Sequence, residues 1–257
     1  MRITVLAENT SNYKNLGCEH GLSLYIEIGK HKLLFDMGQS ELFYENAKKL
    51  NIDLTQVDIA VLSHGHYDHG GGLKKFLQIN SKAKVYLSNY AFEPHYNGEK
   101  YIGLDVTLKD SDRLVFVGDE LEIADGLTLF SCNNEWCKWD INSGGLSVLK
   151  NDEKIPDPFL HEQYLLIEEN EHKVLISGCS HKGILNLNDW FAVDTIVGGL
   201  HVSKWSDDSL ESLAKMLNFI KVSFYTCHCT GVEQFKFMKE RMKRLHYIST
   251  GDVIELI

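Results

Sequence analysis

The chain has 257 residues, 44% hydrophobic and 24% charged, which is enough apolar material for a real core and argues against a disordered chain. Its formal net charge of −10 repels phosphate-rich partners, so neither nucleic acid nor an anionic membrane surface is expected as a ligand. No apolar run reaches membrane-spanning length, and six cysteines in a chain this long are too sparse for a disulfide framework, so reduced thiols and a cytoplasmic location are expected.

Residues 1–8 read as a first strand, without the apolar run of a signal peptide. Residues 22–28 alternate apolar and polar with period two, and residues 32–36 follow across a turn containing Gly29, which predicts a hairpin. A helix is expected over 40–50, a buried strand over 58–62, a helix over 72–79 and a strand over 84–88. The stretch from about 110 to 150 is rich in short strands and turn residues. A second hairpin is predicted from 162–167 and 173–177 over Glu169-Asn170-Glu171. Strands at 194–197 and 222–225 then alternate with helices at about 206–219 and 231–243, before closing strands near 246–248 and 252–256. Three prolines, no linker and no internal repeat suggest a single domain over 1–257. The pattern is that of an α/β layered sandwich.

The chemistry concentrates in Ser63-His64-Gly65-His66-Tyr67-Asp68-His69-Gly70-Gly71, directly after the 58–62 strand. Alternate residues of an extended segment point the same way, so His64 and His66 can converge on one ion. Asp68 and His69, past a turn, can face a neighbouring ion. Gly65 and the run Gly70-Gly71-Gly72 are expected to permit an unusual backbone. Imidazole and carboxylate suit zinc, and also iron or manganese.

This stretch resembles the signature of the metallo-β-lactamase superfamily. The resemblance extends to Leu34-Phe35-Asp36-Met37-Gly38, Ser177-Gly178-Cys179-Ser180-His181-Lys182-Gly183-Ile184, Gly198-Gly199-Leu200-His201, Cys227-His228-Cys229-Thr230-Gly231 and Ser249-Thr250-Gly251-Asp252-Val253-Ile254. The later motifs are similar to the subgroup named after a dihydropterin-ribofuranosylaminobenzene-phosphate synthase. The resemblance implies a four-layer αββα sandwich, the metallo-β-lactamase fold, with a dinuclear site at one edge of its two sheets. It implies two divalent metal ions, with zinc expected and iron or manganese as alternatives. Each ion takes a third histidine from a later strand end, which gives His64, His66 and His181 for one and Asp68, His69 and His228 for the other.

One departure stands out. Most members carry Gly-Asp where this chain has Gly178-Cys179, and that aspartate bridges the metals. Class B β-lactamases instead carry a metal-binding cysteine after glycine, so Cys179 is either a ligand or a small core residue. A histidine usual before this hairpin is missing; His161 lies nearby with different spacing.

Asp36 is expected behind a ligating imidazole, fixing its tautomer. His201 is expected to contact an anionic substrate group or to protonate a leaving group. Cys227 and Cys229, flanking His228, read as packing residues. His20, His31, His95, His172 and His246 show no ligand spacing and are expected on the surface or satisfied. Trp136, Trp139, Tyr96 and Tyr101 fall in irregular insertions suited to roofing a site.

The expected function is metal-dependent hydrolysis. A hydroxide bridging two ions, oriented by Asp68, would attack an ester, phosphoester or related bond of a small anionic molecule, phosphorylated or pterin-like. The alternatives are a di-iron oxidoreductase acting on oxygen or nitric oxide, and a non-enzymatic small-molecule sensor.

Overall fold

The computed structural model describes residues 1–256. Two seven-stranded sheets form its centre. The first runs, edge to edge, Val253–Glu255, Arg2–Ala7, Ser23–Ile28, His31–Phe35, Ile59–Val61, Lys84–Ser88 and Leu114–Val117. The second runs Leu245–Tyr247, Ser223–Thr226, Thr195–Val197, His172–Ile176, Tyr164–Glu169, Leu127–Phe130 and Glu120–Ala124.

Alternation along the strands decides the layers. Leu33, Phe35, Ile59 and Val61 of the first sheet pack against Leu129, Leu165, Ile176 and Val197 of the second, filling the space between the sheets. Their neighbours Leu34 and Ala60 face the other way, onto Phe43, Ala47, Leu73 and Phe76 of the helices Leu42–Lys49 and Leu73–Ile79. On the far side, Leu175, Ile196 and Phe224 carry the helices Ile184–Trp190, Asp207–Phe219 and Val232–Lys239. The result is the four-layer αββα sandwich.

Local signals explain the boundaries. In Asp207–Phe219 the buried residues Leu210, Leu213, Ala214 and Leu217 follow helical spacing. Ser206 caps this helix by accepting from the Ser209 N–H, and Asp207 and Asp208 sit where the helix dipole favours negative charge. The hairpin at Gly29 closes with Leu24 opposite Phe35. The second hairpin turns through Asn170 and Glu171, both at positive φ. The last helix ends at Lys239 rather than 243; Met242 is buried all the same, so the apolar spacing continues past the helical backbone.

A third sheet, Glu153–Pro156, Leu146–Lys150, His95–Asn97 and Lys100–Tyr101, corrects the expectation of irregular insertions at Tyr96 and Tyr101. These two tyrosines are a cross-strand pair with rings 5.6 Å apart. Strands of two and three residues are too short to show a period. Among the described residues, no helix is long and apolar enough to cross a membrane.

Parallel pairing joins His31–Phe35 to Ile59–Val61, and His172–Ile176 to Thr195–Val197 and Ser223–Thr226. The carboxyl ends of these strands lead directly to Asp36, His64, Cys179, His201 and His228. One edge of the sandwich therefore gathers side chains from five separate motifs, as open α/β sheets do at the carboxyl ends of their strands.

Candidate metal centre

Asp36 is the hub. It is buried at φ +59°, and its carboxylate accepts from the Ser63 N–H at 2.7 Å, the Ser63 hydroxyl at 2.7 Å and His69 Nδ1 at 2.6 Å. The Ser63 hydroxyl is thereby committed as a donor, so Ser63 Oγ accepts from His64 Nδ1 at 2.8 Å. These bonds put the Nδ1 protons on His64 and His69 and leave their Nε2 atoms as the metal-competent nitrogens.

The glycines act differently from the expectation. Gly65, Gly70, Gly71 and Gly72 are not at positive φ. They allow close approach: a Cβ on Gly65 would meet the Ala91 carbonyl oxygen at 2.2 Å, and one on Gly178 would meet Ser63 Oγ at 2.2 Å.

The segment just after the strand Arg2–Ala7 supplies two residues that carry no motif. Asn9 Oδ1 accepts from His228 Nδ1 at 2.8 Å, and buried Glu8 accepts from the His228 N–H at 2.7 Å. His228 Nε2 therefore also presents a lone pair. It lies 3.2 Å from His69 Nε2 and 3.3 Å from Asp68 Oδ2. Likewise His64 Nε2 and His181 Nε2 lie 3.4 Å apart, and Cys179 Sγ lies 3.2 Å from His69 Nε2.

Two donor sets result, each with its ligand atoms within 4.8 Å of one another: His64, Cys179 and His181, and His69, Cys179 and His228. Cys179 is common to both. Asp68 joins the second region through His228, in a third set that includes His20. His66 packs edge-on against His64 and His181, with ring centroids 4.6 and 5.0 Å away, but its ligand atom groups with His95, Asp157 and His161.

Electrostatics fit cation binding. Burial, with the neighbouring imidazoles, pushes the pKa of His64 and His181 well below the usual histidine value, which keeps them in the neutral form that ligates metals. Burial opposes ionisation of Asp68, yet the hydrogen bond from His20 and the adjacent imidazoles of His228 and His69 hold its carboxyl well below the usual range. Burial likewise opposes a charge on His69, but the Asp36 carboxylate outweighs it and pushes the His69 pKa up to about 9. Below that pH, without a cation, a proton occupies His69 Nε2. A cation at that point would take the proton's place. Burial raises the Cys179 thiol, and a coordinated cation is what turns such a thiol into a thiolate. Convergent Nε2 lone pairs, one ionised carboxylate and one thiol are the donors that zinc takes.

The remaining sequence candidates divide. His201, at φ +53°, has its ring 4.2 Å from that of His181, and its buried Nδ1 has no hydrogen-bond partner. Cys227 packs in the central core. Cys229 is buried, as a packing residue is, and its sulfur also lies within 4.8 Å of the ligand atoms of Cys179 and His201. The chain turns at His228, φ +48°, so strand alternation no longer applies there. His20 is not an idle surface histidine, since its Nε2 lies 3.3 Å from Asp68 Oδ2. Only its proximity in the fold reveals this.

A cavity of about 1110 Å³ adjoins these groups, lined by His66, Asp68, Cys179, His181, His201 and His228 and also by Trp139, Trp205, Lys100 and Lys204.

Comparison with known proteins agrees with this geometry. The sequence profile of the metallo-beta-lactamase superfamily matches residues 16–131. A solved structure described as a metal-dependent hydrolase of the β-lactamase superfamily is 33% identical, with a TM-score of 0.86, over 100% of this chain and 99% of its own. An uncharacterised protein of Methanocaldococcus jannaschii is 28% identical over 99% of both chains. The 7,8-dihydropterin-6-methyl-4-(β-D-ribofuranosyl)-aminobenzene-5'-phosphate synthase of the same organism is also 28% identical, over 99% of this chain and 96% of its own. With donor sets at the strand ends and a 33% identical relative matched along its whole length, this chain belongs to the metallo-β-lactamase superfamily.

Proposed function

We propose that the chain is a metal-dependent hydrolase of a small anionic molecule, using two divalent ions, of which zinc suits the donors best. The observation that carries this reading is the pair of donor sets sharing Cys179. His64, His66, His181 and Cys179 would hold one ion, and Asp68, His69, His228 and Cys179 the other. When bound, such ions supply Lewis acidity and make a solvent molecule acidic enough to serve as nucleophile near neutral pH.

The chain's own groups do the rest. Asp68, held ionised by His20 and His228, accepts a hydrogen bond from attacking water and orients it. His201 has its ring beside that of His181 and an unpaired Nδ1, and would donate to an anionic substrate group or to a leaving oxygen. Asp36 and Asn9 hold His69 and His228 in one tautomer. Lys100 and Lys204 offer positive charge to an anion and Trp139 and Trp205 offer flat apolar surface, so an anionic molecule with a planar ring fits the walls. The named synthase relative supports a phosphorylated pterin-like compound as the first class to try.

All six cysteines are unpaired, in keeping with the reducing cytosol where we place the protein. A small molecule is the partner proposed, with no nucleic acid or membrane.

The test is elemental analysis of chelator-free protein combined with turnover of a panel of phosphomonoesters, phosphodiesters and carboxylic esters. Two zinc equivalents and turnover of at least one ester are expected. Asp68→Ala should lower turnover by at least about 100-fold and lower metal content while the circular dichroism spectrum stays native. Wild-type turnover in that variant would sink the assignment.

A further inference from the structure

The first donor set is assembled from two sheets. His64 follows the strand Ile59–Val61 of the first sheet, and His181 follows the strand His172–Ile176 of the second. Their Nε2 atoms lie 3.4 Å apart, close to the separation of about 3.3 Å that two nitrogens take on a tetrahedral zinc. The turn that carries His181 does not hold this register unaided. Ser180 sits at φ +57°, a conformation that a serine keeps only under constraint from its surroundings, and Gly183 sits at φ +90°.

One short segment, residues 159–163, touches both strand ends. Toward His64, the Gln163 N–H donates to the Ser63 carbonyl at 2.8 Å, the Gln163 side-chain amide donates to the Leu62 carbonyl at 2.8 Å, and the Gly65 N–H donates to His161 Nδ1 at 2.9 Å. Toward His181, the Phe159 ring stacks on the imidazole, with centroids 4.4 Å and planes 13° apart. Glu162 holds the backbone of the same turn. Its Oε1 accepts from the His181 N–H at 2.8 Å, and its Oε2 accepts from the Lys182 N–H at 3.1 Å and from the Tyr164 hydroxyl.

Glu162 and Lys182 are 0% and 2% exposed, and the proposed chemistry uses neither. Lys182 Nζ donates to Asn133 Oδ1 at 2.7 Å and to the carbonyls of Ser131 and Glu162. Burying such groups is costly unless their hydrogen bonds are made. In return, a carboxylate accepts on both oxygens, which no neutral side chain does. Two successive N–H groups are taken at once, so the turn cannot swing about either bond.

We propose that Glu162 is a positioning residue for the first ion site: from a segment anchored on the His64 strand end, it fixes the turn of His181 and so sets the distance between the two imidazoles. The inference rests on His64 and His181 ligating an ion, as in the function proposed above.

The test compares wild type with Glu162→Gln, in which one accepting oxygen becomes an NH₂ group. Amide hydrogen exchange is read on metal-free protein. Zinc affinity is measured by competition with a chromophoric chelator, and the histidine signals of ¹⁵N-labelled protein show which rings each ion reaches. In wild type the His181 and Lys182 amides should be protected. In the variant at least one of them should lose its protection, and the affinity for the ion near His64 and His181 should fall by about 10–100-fold. The ion near His69 and His228 should keep its affinity, which a general loss of structure would not allow. If Glu162→Gln does not fold, Tyr164→Phe, which removes one donor to the same carboxylate, should show both changes in weaker form. Unprotected amides in wild type, equal protection in the variant, unchanged affinity at the first ion or an equal fall at both ions would each overturn the proposal. Wild-type protein that binds no zinc would remove the proposed function and this role together, whereas amide protection that survives the substitution, read without any ion, would remove the role of Glu162 alone.

Discussion

Asp36 takes a left-handed conformation that costs a non-glycine residue about 1 kcal/mol, and its three accepted hydrogen bonds offset that cost. Its pairing with His69 has a consequence for pH. The His69 pKa is raised from 6.5 to about 9 in the fold, so in metal-free protein its contribution to stability is present below about pH 6.5 and is lost as pH rises through 9. A rise of that size corresponds to about 3 kcal/mol at most. Urea unfolding of metal-free protein from pH 6 to 10 should show this decline, and Asp36→Asn should remove it. An equally steep decline in the variant would mean that another group is responsible. Zinc loading should release a proton below pH 9 for the same reason, which calorimetry in buffers of different ionisation enthalpy can read.

The strands were the legible elements. Period-two alternation and the buried run before His64 anticipate the first sheet, and the His-rich turn follows as read. The third sheet was not legible because its strands are short and its tyrosines pair across a turn at Gly98, φ +60°. The glycines were legible as necessary but not for the right reason; what they permit is contact between elements far apart in sequence. Gly178→Ala tests this, since the added methyl would meet the Ser63 hydroxyl that orients His64. The substitution should lower stability by about 1–3 kcal/mol and weaken the ion bound near His64. A melting temperature and zinc affinity equal to wild type would show that the strand end has room to spare.

Across the whole molecule, the centre depends on contacts that sequence spacing does not display. Asn9 and His228 are 219 positions apart and meet where the two large sheets stack, and His95 and Asp157 are 62 apart and meet across the third sheet. Asn9, Glu8, His20, His95 and Asp157 sit in segments with no ligand spacing, so nothing local singles them out. The cavity depends on the same assembly, since the metal-site histidines and Trp139 and Trp205 line it together. Trp205→Ala, assayed on the best ester of the panel, should raise KM several-fold with kcat little changed, as loss of uniform binding does. An unchanged KM would remove that wall from substrate recognition.

The central claim is that two donor sets, joined at Cys179, hold two ions. Anomalous diffraction at the zinc edge from crystals of zinc-loaded protein reads this directly. Two peaks per chain are predicted, one against His64, His66, His181 and Cys179 and one against Asp68, His69, His228 and Cys179. A chain with no peak there, or with its only peak among His95, Asp157 and His161, would contradict the account.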